Sequence, residues 1–316
     1  MTLVAYVREH IVLFGALTAN LGIAIAKFVA AGITGSSSML SEGIHSVVDS
    51  LNQVLLLYGE HRADRASDAA HPFGYGRELY FWAFVVAILI FAVGAGVSAY
   101  EGYIHYYDPE PLHDPTINYI VLGVAFLLEG TSWVIAVREF AASKGDTGWW
   151  TAIMRSKDPS VFVVMFEDSA ALAGLATAGA GVWASHYYNA PELDGIASMA
   201  IGVILAMVAV ILAREAKGLL IGEAADVATI RQVRAIVETK DWITAVNHVR
   251  TVHSSPRKIF VAISADIEDH ITMGDGERLI EHLETELKAA IPELSSIYIR
   301  PEKQEDAARF ADSAEG

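Results

Sequence analysis

Six long apolar stretches constrain this chain more than any other feature of its sequence. A helix crosses the hydrocarbon core of a bilayer in about 20 residues, and each stretch approaches or exceeds that length. Two of them, 80–100 and 195–213, contain no ionisable residue. Helices buried in a large soluble core would rarely give so many such runs, so we predict transmembrane helices. The six predicted spans are 11–34, 38–59, 80–100, 117–137, 160–186 and 195–213.

The overall composition is that of a chain only partly embedded in a bilayer. Hydrophobic residues make up 53% of the 316 residues, yet the net charge is −16. That acidity argues against a nucleic-acid partner, which would favour a basic surface. The chain has no cysteine, which excludes disulfides, thiolate nucleophiles and thiolate metal sites. Any bound metal must therefore be held by His, Asp, Glu or backbone oxygen.

The lysines and arginines of the loops lie on one side of the predicted spans. The loop between spans two and three contains Arg62, Arg65 and Arg77, and the loop between spans four and five is also basic, whereas 101–115 and 185–194 contain neither residue type. Because basic loops stay in the cytoplasm, we expect both termini there. The first ten residues lack the features of a cleavable signal peptide. This suits a multi-pass protein of a bacterial inner membrane.

The pattern changes after residue 218 to that of a small soluble domain. The predicted elements are a helix near 226–239, strands at 244–253 and 257–267, a helix near 275–290 and a strand at 296–300. Ile259, Val261 and Ile263 alternate as in a half-buried strand. This αββαβ order predicts an α+β domain with an antiparallel sheet. The predicted domains are 1–218 in the membrane, 219–302 in the cytoplasm and a disordered tail at 303–316.

Ionisable side chains inside the predicted spans are candidate functional groups, because they are costly there and usually face a cavity or a partner. Glu42, His45 and Asp49 are spaced by three and four residues, which places them on one stripe of a helix. Glu167 and Asp168 are adjacent, about 100° apart on a helix, so only one can face the bundle centre. Imidazole and carboxylates from two helices suit Zn²⁺. The alternative is a structural polar network.

Two further ionisable residues leave their roles open. Lys27 in span one can snorkel to the surface or pair with a carboxylate. Glu129 in span four can carry protons or form a hydrogen bond to another helix.

The first two spans resemble those of the cation diffusion facilitator family. The matching residues are Ala19-Asn20, Lys27, Thr34-Gly35-Ser36, His45-Ser46 and Asp49, followed by HPFGYGR at 71–77. The resemblance implies a membrane all-α six-helix bundle with a C-terminal ferredoxin-like, metallochaperone-like αββαβ domain. It also implies a homodimer in the lipid bilayer that exports a divalent metal cation, above all Zn²⁺, in exchange for protons. An enzyme is not expected.

The resemblance assigns the transport site to spans two and five. His45 and Asp49 match one pair of ligands, and Asp168 matches one member of the other pair. Val164 stands at the remaining position and cannot bind a metal. The candidates for the fourth ligand are Glu167, Glu42, Asn20 and water. A site with three protein ligands would also admit Mn²⁺, Fe²⁺ or Co²⁺, and a non-transporting scaffold or regulatory metal-binding protein stays an alternative.

The family has two other metal sites, and both are incomplete in this sequence. In the loop between spans two and three, Asp68 and His71 suit a metal, but Tyr75 stands where many members have a second histidine. We predict half a site there, with loop folding as the alternative role of His71. A binuclear zinc cluster in the C-terminal domain is predicted to be absent. Its expected ligand positions hold Asn247, Ile263 and Gly276.

Overall fold

The structure is a computed structural model that describes residues 11–109, 114–145, 148–149, 152 and 157–311. The chain divides into two compact units. The first contains the residues up to Arg62 together with Glu78–Lys217, and the second contains Ala63–Arg77 and the residues from Gly218 onward. The loop 63–77 therefore belongs with the C-terminal unit, although the sequence-based division places it in the first domain.

Long helices make up the first unit. They are α1 (Ile11–Thr34), α2 (Ser37–Ala63), α3 (Glu78–Tyr107), α4 (Thr116–Ser143), α5 (Pro159–Tyr188) and α6 (Glu192–Ile221). The middle of α3, Ile90–Ala95, is π-helical, between the α-helical parts Glu78–Leu89 and Gly96–Tyr107. Most helices extend beyond the predicted spans, because their polar ends continue the helix past the apolar stretch.

Four of these helices, α3 to α6, are long and apolar enough to cross a membrane. In the described part of α1 the apolar helix Asn20–Thr34 is shorter. Polar residues such as Glu42 and Asp49 lower the hydropathy of α2. The structure therefore supports an integral membrane protein, and the number of six spans stays a prediction.

The outer face of α1 shows why a bilayer suits this unit. Leu21, Ile25, Val29 and Ile33 follow one another at every fourth position, and each is at least half exposed. Exposed apolar stripes of this kind are uncommon on soluble monomers. On the other side of the helix, Lys27 is fully buried.

Helices α3 and α6 pack with their backbones in contact. A Cβ atom added at Gly102 would lie 2.6 Å from the carbonyl oxygen of Gly195, and one at Gly202 would lie 3.0 Å from the carbonyl oxygen of Ala95. Small residues allow such close approach between helices in a membrane. Elsewhere in the unit, α4 packs against α5 and α1.

The second unit contains a three-stranded sheet with helices packed on one face. Its elements are α7 (Val227–Glu238), β1 (Ile243–Ser255), β2 (Lys258–Ile267), α8 (Met273–Ala290), β3 (Leu294–Pro301) and α9 (Gln304–Ala311). Alternate residues of β2, including Val261 and Ile263, share a core with Val233 of α7 and Leu283 and Leu287 of α8. The predicted order αββαβ is present, followed by α9.

The predicted antiparallel sheet is wrong for one of its two strand pairs. Strand β2 pairs antiparallel with β1 but parallel with β3, where Val261 lies opposite Ile297. The reason is the connection, because a short turn reverses the chain between β1 and β2, whereas α8 carries it back to the starting edge before β3. The sheet is therefore mixed, in the order β1-β2-β3.

The tail after Pro301 begins with α9, where disorder was predicted. The Asp266 carboxylate accepts a hydrogen bond from the backbone N–H of Gln304 at 3.0 Å, and Lys303 forms an ion pair with Asp269. A carboxylate at the first turn stabilises a helix. This one comes from the end of β2, a long-range contact that the local sequence does not reveal. Residues 312–316 lie outside the described residues.

The close approach of α3 and α6 predicts that the Gly102→Ala substitution destabilises the protein. We expect a loss of about 1–3 kcal/mol from overpacking, in spite of the higher helix propensity of alanine. The matched control is Gly123→Ala in α4, where no atom lies within 4 Å of the added Cβ. Thermal unfolding in detergent micelles measures both variants. Equal changes in stability for the two substitutions would contradict the close contact between α3 and α6 at Gly102.

Candidate metal and ion-pair site

The start of α2 is held by a carboxylate from another helix. Asp194, in the first turn of α6, is fully buried and accepts hydrogen bonds from the Ser36 hydroxyl at 3.1 Å, the Ser37 hydroxyl at 3.2 Å and the Ser38 backbone N–H at 3.2 Å. The Ser38 hydroxyl donates to it as well. A negative charge at a helix N-terminus is favourable. This contact ties the start of α2, which positions Glu42, His45 and Asp49 further along, to the start of α6.

Asp49 and Glu167 are brought together between α2 and α5. The two carboxyl groups lie close enough for their charges to interact. Asn20 of α1 donates to Asp49 at 3.2 Å, and Asn52 of α2 donates to Glu167 at 2.6 Å. Of the candidates for the fourth ligand, Glu167 and Asn20 therefore lie next to a predicted ligand.

Asp168 faces a different neighbour from Glu167. It accepts a hydrogen bond from the Ser132 hydroxyl of α4 at 3.2 Å. It is still close enough to Asp49 for the two charges to interact. The adjacent acids of α5 thus point in two directions, as their positions on a helix require, one toward α2 and the other toward α4.

His45 is buried on α2, and its Nδ1 atom has no hydrogen-bond partner among the described residues. In the part of the chain that the structure describes, no three His, Asp or Glu side chains form a group that could hold a metal ion. The structure therefore places His45, Asp49 and Asp168 in one region of the bundle without closing them into a coordination shell. Their assignment as ligands stays a prediction.

Lys27 is the centre of a buried ion-pair cluster. Its ammonium group donates to Glu42 at 2.9 Å and to the Ser46 hydroxyl at 2.8 Å, and it lies 3.8 Å from Glu129. Both Lys27 and Glu42 are fully buried. Of the two roles considered for Lys27, the structure shows pairing with a carboxylate. Glu42 pairs with Lys27 through Oε2, while its Oε1 atom has no hydrogen-bond partner among the described residues. Its candidacy as the fourth metal ligand stays a prediction.

The unit 63–77 and 218–316 contains the predicted half-site of Asp68 and His71. Asp68 accepts hydrogen bonds from the Tyr75 hydroxyl at 2.6 Å and from the backbone N–H of His71 at 2.8 Å. These hydrogen bonds lower the pKa of Asp68 to about 2. The His71 ring lies 4.2 Å from the Tyr75 ring, and the Arg65 guanidinium lies 4.6 Å from the same ring. Both residues thus take part in folding the loop.

Several residues of the site are not apparent from the sequence. In the sequence, Asp194 is an acid in the segment 185–194, which contains no lysine or arginine. Its link to the serine run 36–38 depends on the contact between α2 and α6. Asn52 and Ser132 are polar residues inside spans, which is a weak signal on its own. Their meaning follows from the acids that they contact.

Comparison with known proteins identifies two family domains. Residues 13–221 match the cation efflux transmembrane domain, and residues 225–304 match the cytoplasmic domain of cation efflux proteins. Together the two matches cover nearly the whole chain.

Individual relatives agree with these matches. The mitochondrial proton-coupled zinc antiporter SLC30A9 of Homo sapiens is 29% identical over 248 residues, which are 78% of this chain and 44% of the relative. Metal tolerance protein C4 of Arabidopsis thaliana is 35% identical, over 67% of this chain and 47% of the relative. The cation-efflux pump FieF of Serratia proteamaculans is 24% identical, over 85% and 84%. This chain thus spans about half the length of the first two relatives.

The ion-pair cluster predicts that Lys27→Met is strongly destabilising. Removing one partner of a buried pair leaves the other charge uncompensated, at a cost of about 3–5 kcal/mol. The double substitution Lys27→Met with Glu42→Gln removes both charges and should recover most of this loss. Thermal or denaturant unfolding in micelles measures the difference. If the single variant proved as stable as the double variant, the pairing would be wrong.

The loop geometry predicts that Tyr75→His creates a zinc site. The new imidazole would join His71 and Asp68, which already contact the Tyr75 side chain. We expect one additional Zn²⁺ per chain, because imidazoles and a carboxylate are typical zinc ligands. Calorimetric titration of the purified protein measures the stoichiometry. Phe73→His, an exposed position in the same loop, is the control and should add no tight site.

Proposed function

Because the chain belongs to the cation efflux family, we propose that it is a secondary active transporter that exports Zn²⁺ from the cytoplasm in exchange for protons. The observation that carries this proposal is the contact of Asp49 and Glu167 between α2 and α5, with Asp168 close by. The printed name of the SLC30A9 relatives, proton-coupled zinc antiporter, supports both the cargo and the counter-ion.

The contact between the two carboxyl groups suits an exchange of protons for a cation. Ionised carboxylates that lie this close together repel each other, so one proton held between them would relieve the repulsion. A divalent cation that binds between them has to displace this proton, because metal ligands must be deprotonated. Competition between proton and metal at one place is the chemical basis of antiport.

The proposed ligands are His45, Asp49 and Asp168, with Glu167 as the fourth. A histidine and carboxylates make a site for Zn²⁺, and the same donors accept Mn²⁺, Fe²⁺ and Co²⁺ with lower or similar affinity. Because the described side chains do not surround an ion, small movements of α2, α4 and α5 must close the site. The same movements would expose it first to one side of the membrane and then to the other.

The membrane arrangement is proposed from the sequence and the family. We propose six spans, α1 to α6, with the basic loops and both termini in the cytoplasm, and a homodimer that forms through the C-terminal domain. For the location, a bacterial inner membrane and the mitochondrial setting of the SLC30A9 relatives are both compatible with the same fold.

A non-transporting metal-binding scaffold is the second candidate. It is favoured by one observation, that Val164 stands at a position where the family has a metal ligand. Such a protein would bind a cation within the bundle without releasing it on the other side. Binding and flux must therefore be measured separately.

We expect proteoliposomes with the wild-type protein to move Zn²⁺ when a pH gradient is imposed. Loss of a residue that only orients a metal ligand costs about 10–100-fold, so Asp49→Asn and Asp168→Asn should each reduce flux at least that much. Glu60→Gln, at an exposed position of the same helix α2, is the matched control. Flux that Asp49→Asn leaves unchanged would refute the proposal, and zinc binding without flux would favour the scaffold.

A further inference from the structure

A cavity of about 390 Å³ lies at one end of the first unit, apart from the Asp49 and Glu167 contact. It is bordered by the end of α1, the start of α2 and the last turns of α3. Among the described residues, its ionisable side chains are Glu101 and His105 of α3 and Asp108, which directly follows that helix. The polar lining from α2 consists of Ser36 and Ser37.

Two of these residues, Glu101 and His105, are four residues apart on α3, which brings them onto the same helix face. Asp108 follows the last residue of the helix. An acid and a histidine one turn apart are placed to bind the same ion. Glu101 and Asp108 are at least partly exposed, whereas His105 is only 8% exposed.

His105 is the unusual member of the group. Its Nε2 atom is buried, and no hydrogen-bond partner for this atom exists among the described residues. A buried polar atom without a partner is unfavourable. Because His105 also lines the cavity, a ligand bound there that engages its ring would remove that cost.

The charges around the cavity select a cation. Of the residues that the structure describes, no lysine or arginine lines it. The carbonyl ends of α1 and α3 both border it, and helix C-termini have a partial negative charge. The start of α2 has the opposite polarity, but the Asp194 carboxylate already satisfies it through Ser36, Ser37 and Ser38. An anion would therefore meet net repulsion.

We propose that this cavity binds a divalent first-row metal ion through the His105 imidazole and the Glu101 carboxylate, with Asp108 within reach. Imidazole together with carboxylate selects Zn²⁺, Co²⁺ or a related ion over Mg²⁺ or Ca²⁺. Since no three described acid or histidine side chains surround one point, water completes the coordination. The site holds a partly hydrated ion at the end of the helices.

This cavity would be a second cation-binding site on the proposed transport route. A hydrated ion held by two protein ligands binds more weakly than one in a closed site, so it can be passed on. The binding itself does not depend on transport, and only the identity of the ion as cargo rests on the proposed function.

The test is a titration of the full-length protein in detergent micelles with Co²⁺, followed by calorimetry and by visible absorption. Beside the proposed transport site, wild-type protein should show a further Co²⁺ site that is lost or weakened at least tenfold in His105→Gln. Glu101→Gln should weaken the same site. His186→Gln removes an exposed histidine at the end of α5 and is the matched control, which should leave the titration unchanged.

Two results would overturn the inference. One is a His105→Gln protein with the wild-type number of sites and affinities. The other is an equal loss in His186→Gln, which would mean general surface binding. Glu101→Gln guards against misfolding of the His105 variant, because a partly exposed acid can be replaced without disturbing the core. Asp49→Asn should keep this site while losing flux, so failure here and failure of the proposed function are separate results.

Discussion

The buried ammonium group of Lys27 is the interaction on which the arrangement of the transmembrane helices depends. Without water, a charge inside a bundle must find its partners in the protein, and Lys27 finds them on α2 and α4. Three helices are thus held around one point. Replacing a buried ion pair with apolar residues is often neutral for stability. We therefore attribute to the Lys27 ion pair a role in determining which faces of the helices pack together. Glu42 thus has its Oε2 atom committed to Lys27, whereas Asp49, Glu167 and Asp168 have no contact with that ammonium group within ion-pair distance.

The two adjacent acids of α5 show how helix geometry divides related side chains between tasks. Glu167 lies against α2, where it accepts a hydrogen bond from Asn52 and is close to Asp49, while Asp168 lies against Ser132 of α4. The resemblance to the family selects Asp168 as a ligand, and the structure adds Glu167 as the acid nearest to Asp49. A cation that contacts both acids would draw α2, α4 and α5 together. Glu167, on the same helix, would then take the place of the ligand that is missing at Val164.

The helices and the order of the C-terminal elements could be predicted because their signals are local. Apolar length predicts α3 to α6, and alternation predicts β2. The direction of β3 depends on the path of the chain through α8, and the capping of α9 by Asp266 depends on a strand far away in sequence. In the site, the stripe of Glu42, His45 and Asp49 follows from helical periodicity. The pairing of Lys27 with Glu42 depends on contacts between helices. Such contacts cannot be predicted from the sequence of one helix.

The amide side chains next to Asp49 and Glu167 would suit the proposed site both with and without a bound cation. Asn52 donates its amide hydrogen to Glu167, and Gln53 donates to Asp49 at 3.5 Å. The amide oxygens of both residues have no hydrogen-bond partner among the described residues. A half-turn of an amide exchanges its donor for its acceptor. Each amide therefore satisfies a carboxylate in this structure, and after such a half-turn it would offer an oxygen to a cation bound at the proposed site.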